Sequence, residues 1–554
     1  AVTLVVNGDN LVSDINLNVS EGFEISFDNS VYESALQIPF GNVSDDTIIY
    51  VRFTPISNGN VSGTIILSSI DADDVEVSLS GIGLALVHNY VAFDSERLAF
   101  GGGYSQSSTQ TFNLHDDLTN IETIKMFVTL RCPTGGCDEW DVYANVKVRD
   151  DASGELYELG RYITPYWNDN SQLDRGFEFD VTDFKSLLSG STELRIRTEC
   201  WNDRGYEVTV DFDYIEGTPD FPYYAVSRVI AFDDWSSSGV PYGISHTLDL
   251  DKSVAIPSNS ESTHLRTIIS GWGHATPNDS DGRGCAEWCY RTHDVMINGS
   301  SMFQHNLGPL GCASNPVSNQ APGNWQPDRA GWCPGMATDV QEYDITSMVT
   351  AGSTVNIDYG ITTASGTSRY IVNHQLVTYG DANFSLDAAV VDILSPSSKI
   401  EYDRTSSVCE KPQVLIRNTG KTTLTSLVIE YWVNNSTTPQ TFNWSGSLEF
   451  MEEEVVSLPR RDALWDDLSG TSEDVFNVEV KSPNNGTDGY GLNNTLGSSF
   501  EIPDVFPNSF FIWFKTNSAA SDNSYTIEDQ YGNEIFKLSG LTNNTNLGSG
   551  KEVH

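Results

Sequence analysis

The chain has 554 residues, and because domains usually contain about 100–200 residues, this length predicts about three to five domains. It carries 76 aspartates and glutamates against 30 lysines and arginines, a formal net charge of −46 that excludes nucleic acid and anionic lipid as favoured partners. No apolar run approaches the roughly 18 residues that a membrane span requires, so we expect no transmembrane segment.

Short runs that alternate apolar and polar residues recur along the chain. Residues 1–85 show this pattern between turn signals, for example at 63–69, and helical periodicity is scarce throughout. The sequence therefore predicts an all-β protein of antiparallel sheets. Residues 1–85 resemble the immunoglobulin-like β-sandwich modules of secreted bacterial proteins, with about seven short strands.

The rest of the chain divides at composition changes and at a joint that contains prolines. Residues 218–222 include two prolines and separate two β-rich blocks, which predicts tandem domains over 90–220 and 223–388. Residues 389–503 contain strands joined by turns and are similar to bacterial adhesion-type sandwich domains. Residues 504–554 are too few for a core of their own, so we expect a short β segment from a truncated module.

The cysteines and the N-terminus bear on the compartment. The chain contains eight cysteines, which fit an oxidising compartment better than a reducing cytosol. It opens on Ala1 with no charged region followed by an apolar stretch, as in a mature exported protein. We therefore expect a secreted, periplasmic or cell-surface protein whose signal peptide has been removed, and a monomer.

Two segments place acidic residues beside a tryptophan within or just after a short loop bounded by cysteines. Residues 132–141 read CPTGGCDEWD, and residues 284–289 read GCAEWC. An indole can cover a sugar ring while a nearby carboxylate holds hydroxyls or transfers protons. The pair of segments thus predicts a carbohydrate-active site.

Those segments and several others together resemble the peptide-N-glycosidase F family, over roughly residues 93–385. The matching segments are 123–127, 132–146, 161–167, 192–194 with 198–199, 271–275, 283–289 and 323–336. The resemblance implies two eight-stranded antiparallel jelly rolls with the active cleft between them. It also implies hydrolysis of the amide between asparagine and the first N-acetylglucosamine of N-linked glycans, without a metal or organic cofactor. The implied partners are N-glycosylated proteins or peptides.

Carried over by position, the resemblance makes Asp141 the main catalytic carboxylate, with Glu287 and Glu199 as supporting acids. Amide hydrolysis needs an activated water, a proton for the departing nitrogen and stabilisation of developing charge, and a few carboxyl groups can supply these. If the three acids converge, their repulsion should raise at least one pKa and leave a protonated acid near neutrality. We assign proton transfer to Asp141, water binding to Glu287 and orientation of the glucosamine hydroxyls to Glu199.

The binding residues follow from the same segments. Arg329 resembles the family's cleft arginine that can pair with the second-domain glutamate. We interpret residues 193–201 as a strand, which would put Glu199 and Trp201 on one face. His274 and His293 are expected to be structural. The substrate-binding candidates are Trp140, Trp201, Arg329, Trp332, Asp138, Trp272, Trp288, Ile163, Tyr166 and Trp167.

Three cysteine pairs match the disulfides of the family. They are Cys132 with Cys137, Cys285 with Cys289 and Cys312 with Cys333. Spacing alone leaves zinc as the competing interpretation, because short cysteine spacings also suit zinc ligands. Cys200 and Cys409 are left over, either as a further pair or as buried thiols.

One departure and two alternatives accompany the resemblance. Val142 stands where the family carries an arginine that helps to hold the core sugars, which affects the glycan contact and the tolerance for core decoration. A non-catalytic alternative is an exported adhesin that binds N-glycans. A catalytic alternative is a glycoside hydrolase, since paired carboxylates also cleave glycosidic bonds.

Overall fold

A computed structural model gives the fold. It describes residues 2–20, 22–54, 59–83, 85–221, 224–235, 239–241, 250–278, 284–289, 291–308, 310–361, 368–399, 411–434, 436, 438–459, 461–465, 468–469, 474–501, 520–522, 524–528 and 533–541. The chain divides into two compact units, the first made of residues 1–87, 215–217 and 490–494 and the second of the remainder. The predicted all-β class is confirmed, because the sheets are antiparallel and the helical segments are short 3-10 turns across the described residues. Within those residues we find no helix with the length and apolarity to cross a membrane.

The described residues of the first unit form seven strands in two sheets, ordered β1-β5-β3 and β4-β2-β6-β7. Its core is filled by apolar side chains that alternate along the strands, including the fully buried Leu17, Ile25, Ile49 and Ile65. The strands are β1 Val2–Val6, β2 Ile15–Val19, β3 Phe23–Ser26, β4 Ala35–Ile38, β5 Thr47–Phe53, β6 Gly59–Ser68 and β7 Val75–Gly83, with a 3-10 turn at Phe40–Asn42.

The second unit begins with a pair of sheets that we call the first sandwich. Its strands are β8 Val87–Leu98, β9 Ser107–Asn113, β10 Ile121–Arg131, β11 Tyr143–Arg149, β12 Leu156–Ile163, β13 Phe177–Asp180, β14 Ser191–Thr198 and β15 Tyr206–Glu216, with a 3-10 turn at Thr182–Leu187. One sheet has the order β13-β10-β15-β8, and the other has β12-β11-β14-β9. Apolar side chains from both sheets form one core.

The second sandwich follows, and its sheets have the orders β16-β27-β19-β25 and β18-β26-β22-β23. Its strands are β16 Tyr224–Phe232, β17 Val240–Pro241, β18 Asp251–Ala255, β19 Ser262–Trp272, β20 His274–Asn278, β21 Gly284–Ala286, β22 Thr292–Ile297, β23 Ser300–Asn306, β24 Met336–Ala337, β25 Gln341–Asp344, β26 Thr354–Ile361 and β27 Arg369–Tyr379, with 3-10 turns at Cys312–Ser314 and Thr346–Met348. Strand β24 instead pairs with β12, so this part of the chain extends a sheet of the first sandwich.

A third sandwich follows, with sheets β28-β29-β32 and β31-β30-β33-β34. Its strands are β28 Ala388–Ser395, β29 Gln413–Asn418, β30 Leu424–Val433, β31 Gln440–Leu448, β32 Glu453–Ser457, β33 Asp474–Lys481 and β34 Thr495–Phe500, with 3-10 turns at Asp462–Trp465 and Pro483–Asn485. Beyond it are a 3-10 turn at Ala520–Asp522 and the hairpin β35 Tyr525–Glu528 and β36 Glu534–Leu538. The aromatic segment 510–514 and Cys409 lie outside the described residues.

A buried ionic interface joins the first and second sandwiches. Arg161 is fully buried and pairs with Glu158 at 2.7 Å. The same guanidinium donates hydrogen bonds across the interface to Ser270 Oγ at 3.0 Å and to the Ile371 carbonyl at 2.7 Å. Buried charges hold their place only when they are paired and hydrogen-bonded, so these contacts fix the orientation of the two sandwiches.

Strand β11 shows why this interface was hidden in the sequence. Six of its seven residues are buried, instead of the alternating burial that a sheet with one wet face would have. Ala144 and Val146 belong to the core of the first sandwich. The alternate residues of the strand, Asn145 and Lys147, point to the opposite face of the sheet. There the Lys147 ammonium pairs with Asp233 of the second sandwich at 2.7 Å.

Strand β14 ends earlier than predicted. The structure ends it at Thr198 rather than at Trp201, so the expectation that Glu199 and Trp201 share one strand face was wrong. The Cys200 backbone N–H bonds to the Thr198 carbonyl at 2.9 Å, and the Trp201 N–H donates to the Asp138 carboxylate at 2.8 Å. These bonds turn the chain out of the sheet.

Three histidines among the described residues of the second sandwich are buried, and we expect them to make the stability of the fold sensitive to acid. Burial lowers the pKa of His305 and His374 to about 3, and it also lowers the pKa of His293 well below its ordinary value. Below about pH 6.5 these histidines become protonated in the unfolded chain but stay neutral in the folded protein. Their contribution to the unfolding free energy is therefore fully present above that pH and is lost as the pH falls toward 3.

We expect His374→Leu to reduce this loss, because neither ring nitrogen of His374 has a hydrogen-bond partner in the described part of the chain. The decrease in unfolding free energy from pH 7 to pH 5 should be about 2 kcal/mol smaller in the variant. Urea titrations of both proteins at the two pH values measure it. Equal decreases in parent and variant would contradict the assignment.

Candidate active site

Three charged residues of the second unit each lie within or just after a loop that is closed by a disulfide. Asp141 follows the Cys132–Cys137 bridge, Glu287 lies within the Cys285–Cys289 bridge, and Arg329 lies between Cys312 and Cys333. The three cysteine pairings implied by the family are therefore present, and the zinc interpretation is wrong for them, because bonded sulfurs are not free thiolates. Crosslinks of this kind restrict the conformations of the loops that carry the site.

Arg329 brings the two acids together. Its Nη2 lies 3.1 Å from Asp141 Oδ2, and its Nε lies 3.6 Å from Glu287 Oε1. The guanidinium is fully buried and also donates to the carbonyls of Asn324 at 2.7 Å and Pro327 at 2.9 Å. One cation thus serves two carboxylates, one from the first sandwich and one from the second.

Aromatic rings enclose this arginine. Its guanidinium carbon lies 4.4 Å from the ring centre of Trp288 and 5.2 Å from that of Trp332, distances at which a cation is attracted to the ring face. The Trp332 indole N–H donates to the Gly271 carbonyl at 3.1 Å. Both tryptophans are buried, so they hold the arginine in place.

The pKa of the Asp141 carboxyl group is higher than usual. Burial raises its pKa to about 7, against the opposing effect of Arg329, and the nearby charge of Glu287 adds to the increase. Burial also raises the pKa of Tyr166, whose hydroxyl accepts a hydrogen bond from Arg329 at 3.0 Å. A carboxyl group with a pKa near 7 can both donate and accept a proton at neutral pH.

His274 was expected to be structural, and the structure places it at the site instead. Its Nε2 lies 2.9 Å from Glu287 Oε2, and its side chain is 65% exposed. The hydrogen bond to Glu287 raises the pKa of His274. Gly273, with a φ of 92°, turns the chain between β19 and His274, a conformation that sequence spacing does not disclose.

Asp141 and Glu287 line a cavity of about 520 Å³. Three tryptophans on its wall expose large parts of their rings: Trp140 is 51%, Trp201 58% and Trp272 38% exposed. Exposed indoles of this kind are available to stack on a flat apolar ligand face. The lining residues are Trp140, Asp141, Val142, Tyr166, Trp201, Trp272, Gly273, His274, Glu287, Trp288 and Asn324.

Other predicted site residues lie around this cavity rather than on its wall. Asp138 is fully buried and accepts hydrogen bonds from the backbone N–H groups of Trp140 at 3.2 Å and Trp201 at 2.8 Å. Burial raises the pKa of Asp138. It thus ties the two loops that carry these exposed tryptophans to each other.

Glu199, Ile163 and Trp167 are not among the cavity-lining residues. Glu199 is 15% exposed and lies 3.6 Å from Arg197, rather than on Arg329 with the other two acids. Ile163 is buried beside β24, and Trp167 is partly exposed beside Arg204. Cys200 is a buried thiol, and burial raises its pKa.

Potential metal ligands come together in one place within the described residues. They are Cys312, Asp328 and Cys333, whose ligand atoms lie within 4.8 Å of one another. The two cysteines are already joined as a disulfide, and Asp328 accepts the backbone N–H groups of Gly311 and Cys312. These residues are therefore better described as a structural loop closure than as a metal centre.

The fold and the site together define an all-β protein with a carboxylate–arginine–carboxylate site in a tryptophan-lined cavity. Residues 244–377 match the family model "Peptide-N-glycosidase F, C terminal". The chain is 51% identical over 303 residues to peptide-N(4)-(N-acetyl-beta-D-glucosaminyl)asparagine amidase F of Elizabethkingia miricola, covering 55% of this chain and 83% of that protein.

Solved structures agree with this match. One is PNGase F, described as a glycosylasparaginase from Flavobacterium meningosepticum, and another is a recombinant peptide:N-glycanase F. Each is 50% identical with a TM-score of 0.52, and the alignment covers 53% of this chain and 96% of the other. The chain belongs to the peptide-N-glycosidase F family.

Proposed function

We propose that this protein hydrolyses the amide between asparagine and the first N-acetylglucosamine of N-linked glycans, which releases the glycan and converts asparagine to aspartate. The observation that carries the proposal is the junction of Asp141 and Glu287 on buried Arg329, at the base of a tryptophan-lined cavity. It occurs in a chain 51% identical to a relative named as an asparagine amidase of this kind.

The proposed reaction begins when water adds to the amide carbonyl of the glycosylated asparagine. The carbon–nitrogen bond then breaks, the nitrogen receives a proton and leaves as a glycosylamine, and the asparagine side chain becomes a carboxylate. The glycosylamine afterwards exchanges its amine for water and loses ammonia. Asp141 suits the proton transfers because its pKa of about 7 makes both of its protonation states available at neutral pH.

Glu287 would bind the attacking water or the reacting group. It is held from one side by Arg329 and from the other by His274, so its carboxylate has a fixed direction. The buried guanidinium also provides positive charge where negative charge develops on the carbonyl oxygen. Glu199 would act on the sugar from outside this cluster, by orienting glucosamine hydroxyls.

The tryptophans and the buried aspartate would bind the glycan in different ways. Trp140, Trp201 and Trp272 offer exposed rings for stacking on sugar faces. Asp138 contributes by fixing Trp140 and Trp201, since its carboxylate accepts both backbone N–H groups. Trp288, Trp332, Tyr166 and Ile163 support the site from beneath, and Trp167 extends the aromatic surface beside it. Val142 gives the cavity an apolar position next to Asp141, which bears on which core sugars fit.

The architecture is proposed to follow the family. The first and second sandwiches correspond to the two jelly rolls, residues 90–220 and 223–388. Residues 1–85 would be an immunoglobulin-like module, 389–503 an adhesion-type sandwich and 504–554 part of a truncated module. We propose a monomer that acts on N-glycosylated proteins or peptides outside the cytosol. Its disulfides fit an oxidising compartment.

Product analysis tests the proposed function. A denatured N-glycoprotein is incubated with the protein in water enriched in heavy oxygen, and peptides and released glycans are analysed by mass spectrometry. We expect aspartate with one heavy oxygen at each glycosylated asparagine, and a free glycan that retains its innermost glucosamine. Glucosamine left on asparagine would instead indicate a glycoside hydrolase, and intact glycopeptides that bind the protein would indicate an adhesin.

A further inference from the structure

Arg197 is a buried cation that the proposed chemistry has not used. It lies on β14, one residue before the strand ends, and is 2% exposed. Residues two apart on a strand share a face, so Arg195 and Arg197 both point toward the second sandwich. Arg195 pairs there with Asp234 at 2.6 Å, whereas Arg197 lies 3.6 Å from Glu199.

The hydrogen bonding of Arg197 is incomplete. Within the part of the chain that the structure describes, its Nε and Nη2 have no hydrogen-bond partner. A guanidinium has five N–H donors, and leaving buried donors unpaired is costly. The ion pair with Glu199 at 3.6 Å offsets part of the cost of burying a cation at this position.

Trp235 covers this arginine. It follows β16 of the second sandwich, and the Arg197 guanidinium stacks over its ring. Stacking on an indole stabilises a cation and restricts the plane of the guanidinium. Burial lowers the pKa of Arg197 to about 10, with Glu199 opposing that shift, so the group stays charged at neutral pH.

We infer that Arg197 and Trp235 are positioning residues that hold the Glu199 carboxylate in the direction needed to bind the substrate sugar. The inference rests on the proposed function, and within it on the role of Glu199. The Glu199 backbone is fixed separately, by its N–H bond to the Tyr143 carbonyl at 3.0 Å, and its carboxylate lies 3.6 Å from the Arg197 guanidinium. Trp235 makes that direction depend on the second sandwich.

A double-mutant cycle tests whether Arg197 acts through Glu199. Arg197→Met should lower kcat/KM for a glycopeptide by about 10- to 100-fold, mainly through a higher KM, as expected for loss of a charged orienting contact. Trp235→Leu should lower it by about 3- to 10-fold. Neither substitution should reduce kcat/KM further in a Glu199→Gln background.

Two further variants separate positioning from a general structural role. Arg197→Lys keeps the charge and should recover part of the activity lost in Arg197→Met. Arg195→Met removes the neighbouring arginine of the same strand face and should change kcat/KM by less than about 2-fold, since its partner Asp234 is exposed. Melting temperatures identify any variant that fails to fold, and if Arg197→Met does so, the Trp235→Leu cycle decides.

The outcomes are distinct. The inference would be overturned if Arg197→Met lowered kcat/KM as much in the Glu199→Gln background as in the parent. It would also be overturned if Arg197→Met left kcat/KM of the parent unchanged. A parent enzyme whose kcat/KM is unchanged by Glu199→Gln would overturn it as well. If the parent hydrolyses no amide, the proposed function fails by itself. The same cycle is then measured as glycopeptide affinity by calorimetry, where additive effects overturn the positioning role and coupled effects support it.

Discussion

Substitution of Asp141 by asparagine should greatly slow N-glycan release and also make the folded protein more stable above pH 7. An amide cannot exchange the proton that the reaction needs, so we expect kcat/KM to fall by about 10²- to 10⁴-fold. Burial raises the pKa of Asp141 to about 7, so the folded protein keeps a proton that the unfolded chain loses near pH 4. Parent stability therefore decreases as the pH rises from about 4 to about 7.

Asparagine removes this cost because it carries no charge at any pH and can still accept the hydrogen bond from Arg329. The gain in unfolding free energy should reach up to about 4 kcal/mol at pH 8 and vanish at pH 4. Denaturant titrations at both pH values measure it, with Asp151→Asn as the matched exposed control. A variant that is less stable than the parent at pH 8 would show that the charged form of Asp141 is favoured in the fold.

Replacing Arg329 with methionine should have the opposite effect on stability and the same effect on activity. The variant leaves the carboxylates of Asp141 and Glu287 buried without their shared cation. Removing one partner of a buried ion pair typically costs about 3–5 kcal/mol, and loss of charge stabilisation should stop turnover. Unfolding titrations and the glycopeptide assay measure the two effects.

Two controls show whether charge or packing causes the loss. The triple variant Arg329→Met, Asp141→Asn and Glu287→Gln removes all three charges and should recover most of the lost stability, since neutral replacements of buried ions are often tolerated. Arg52→Met breaks an exposed ion pair with Glu24 and should cost less than about 1 kcal/mol. A triple variant as unstable as the single one would indicate that the shape of the arginine matters, not its charge.

The alternation of apolar and polar residues was enough to predict strands that have one face buried and one face toward solvent. Strand β33 alternates buried and intermediate residues along its whole length, as expected for a sheet with one covered face. Asp141, Glu287 and Arg329 could be found because each lies in a short motif that resembles the family, and the structure places them on one another. The all-β class followed from the same alternation over many segments.

The features that the sequence did not disclose depend on contacts between distant residues. Strand β14 ends where the Asp138 carboxylate, 63 residues away, accepts the Trp201 N–H. His274 reaches Glu287 because Gly273 adopts a left-handed conformation. The pairing of Arg197 with Trp235 forms only when the first and second sandwiches pack together. No periodicity in one segment encodes such partners.

Because Arg329 contacts acids of both sandwiches, the active site can be completed only late in the synthesis of the chain. A chain made from its N-terminus presents Asp141 long before Arg329 exists, and the complete site needs residues of both sandwiches. A nascent chain that has not yet reached Arg329 therefore carries Asp141 without its partners from the second sandwich. Enzyme activity would emerge as a late event of biogenesis, after the second sandwich has folded onto the first.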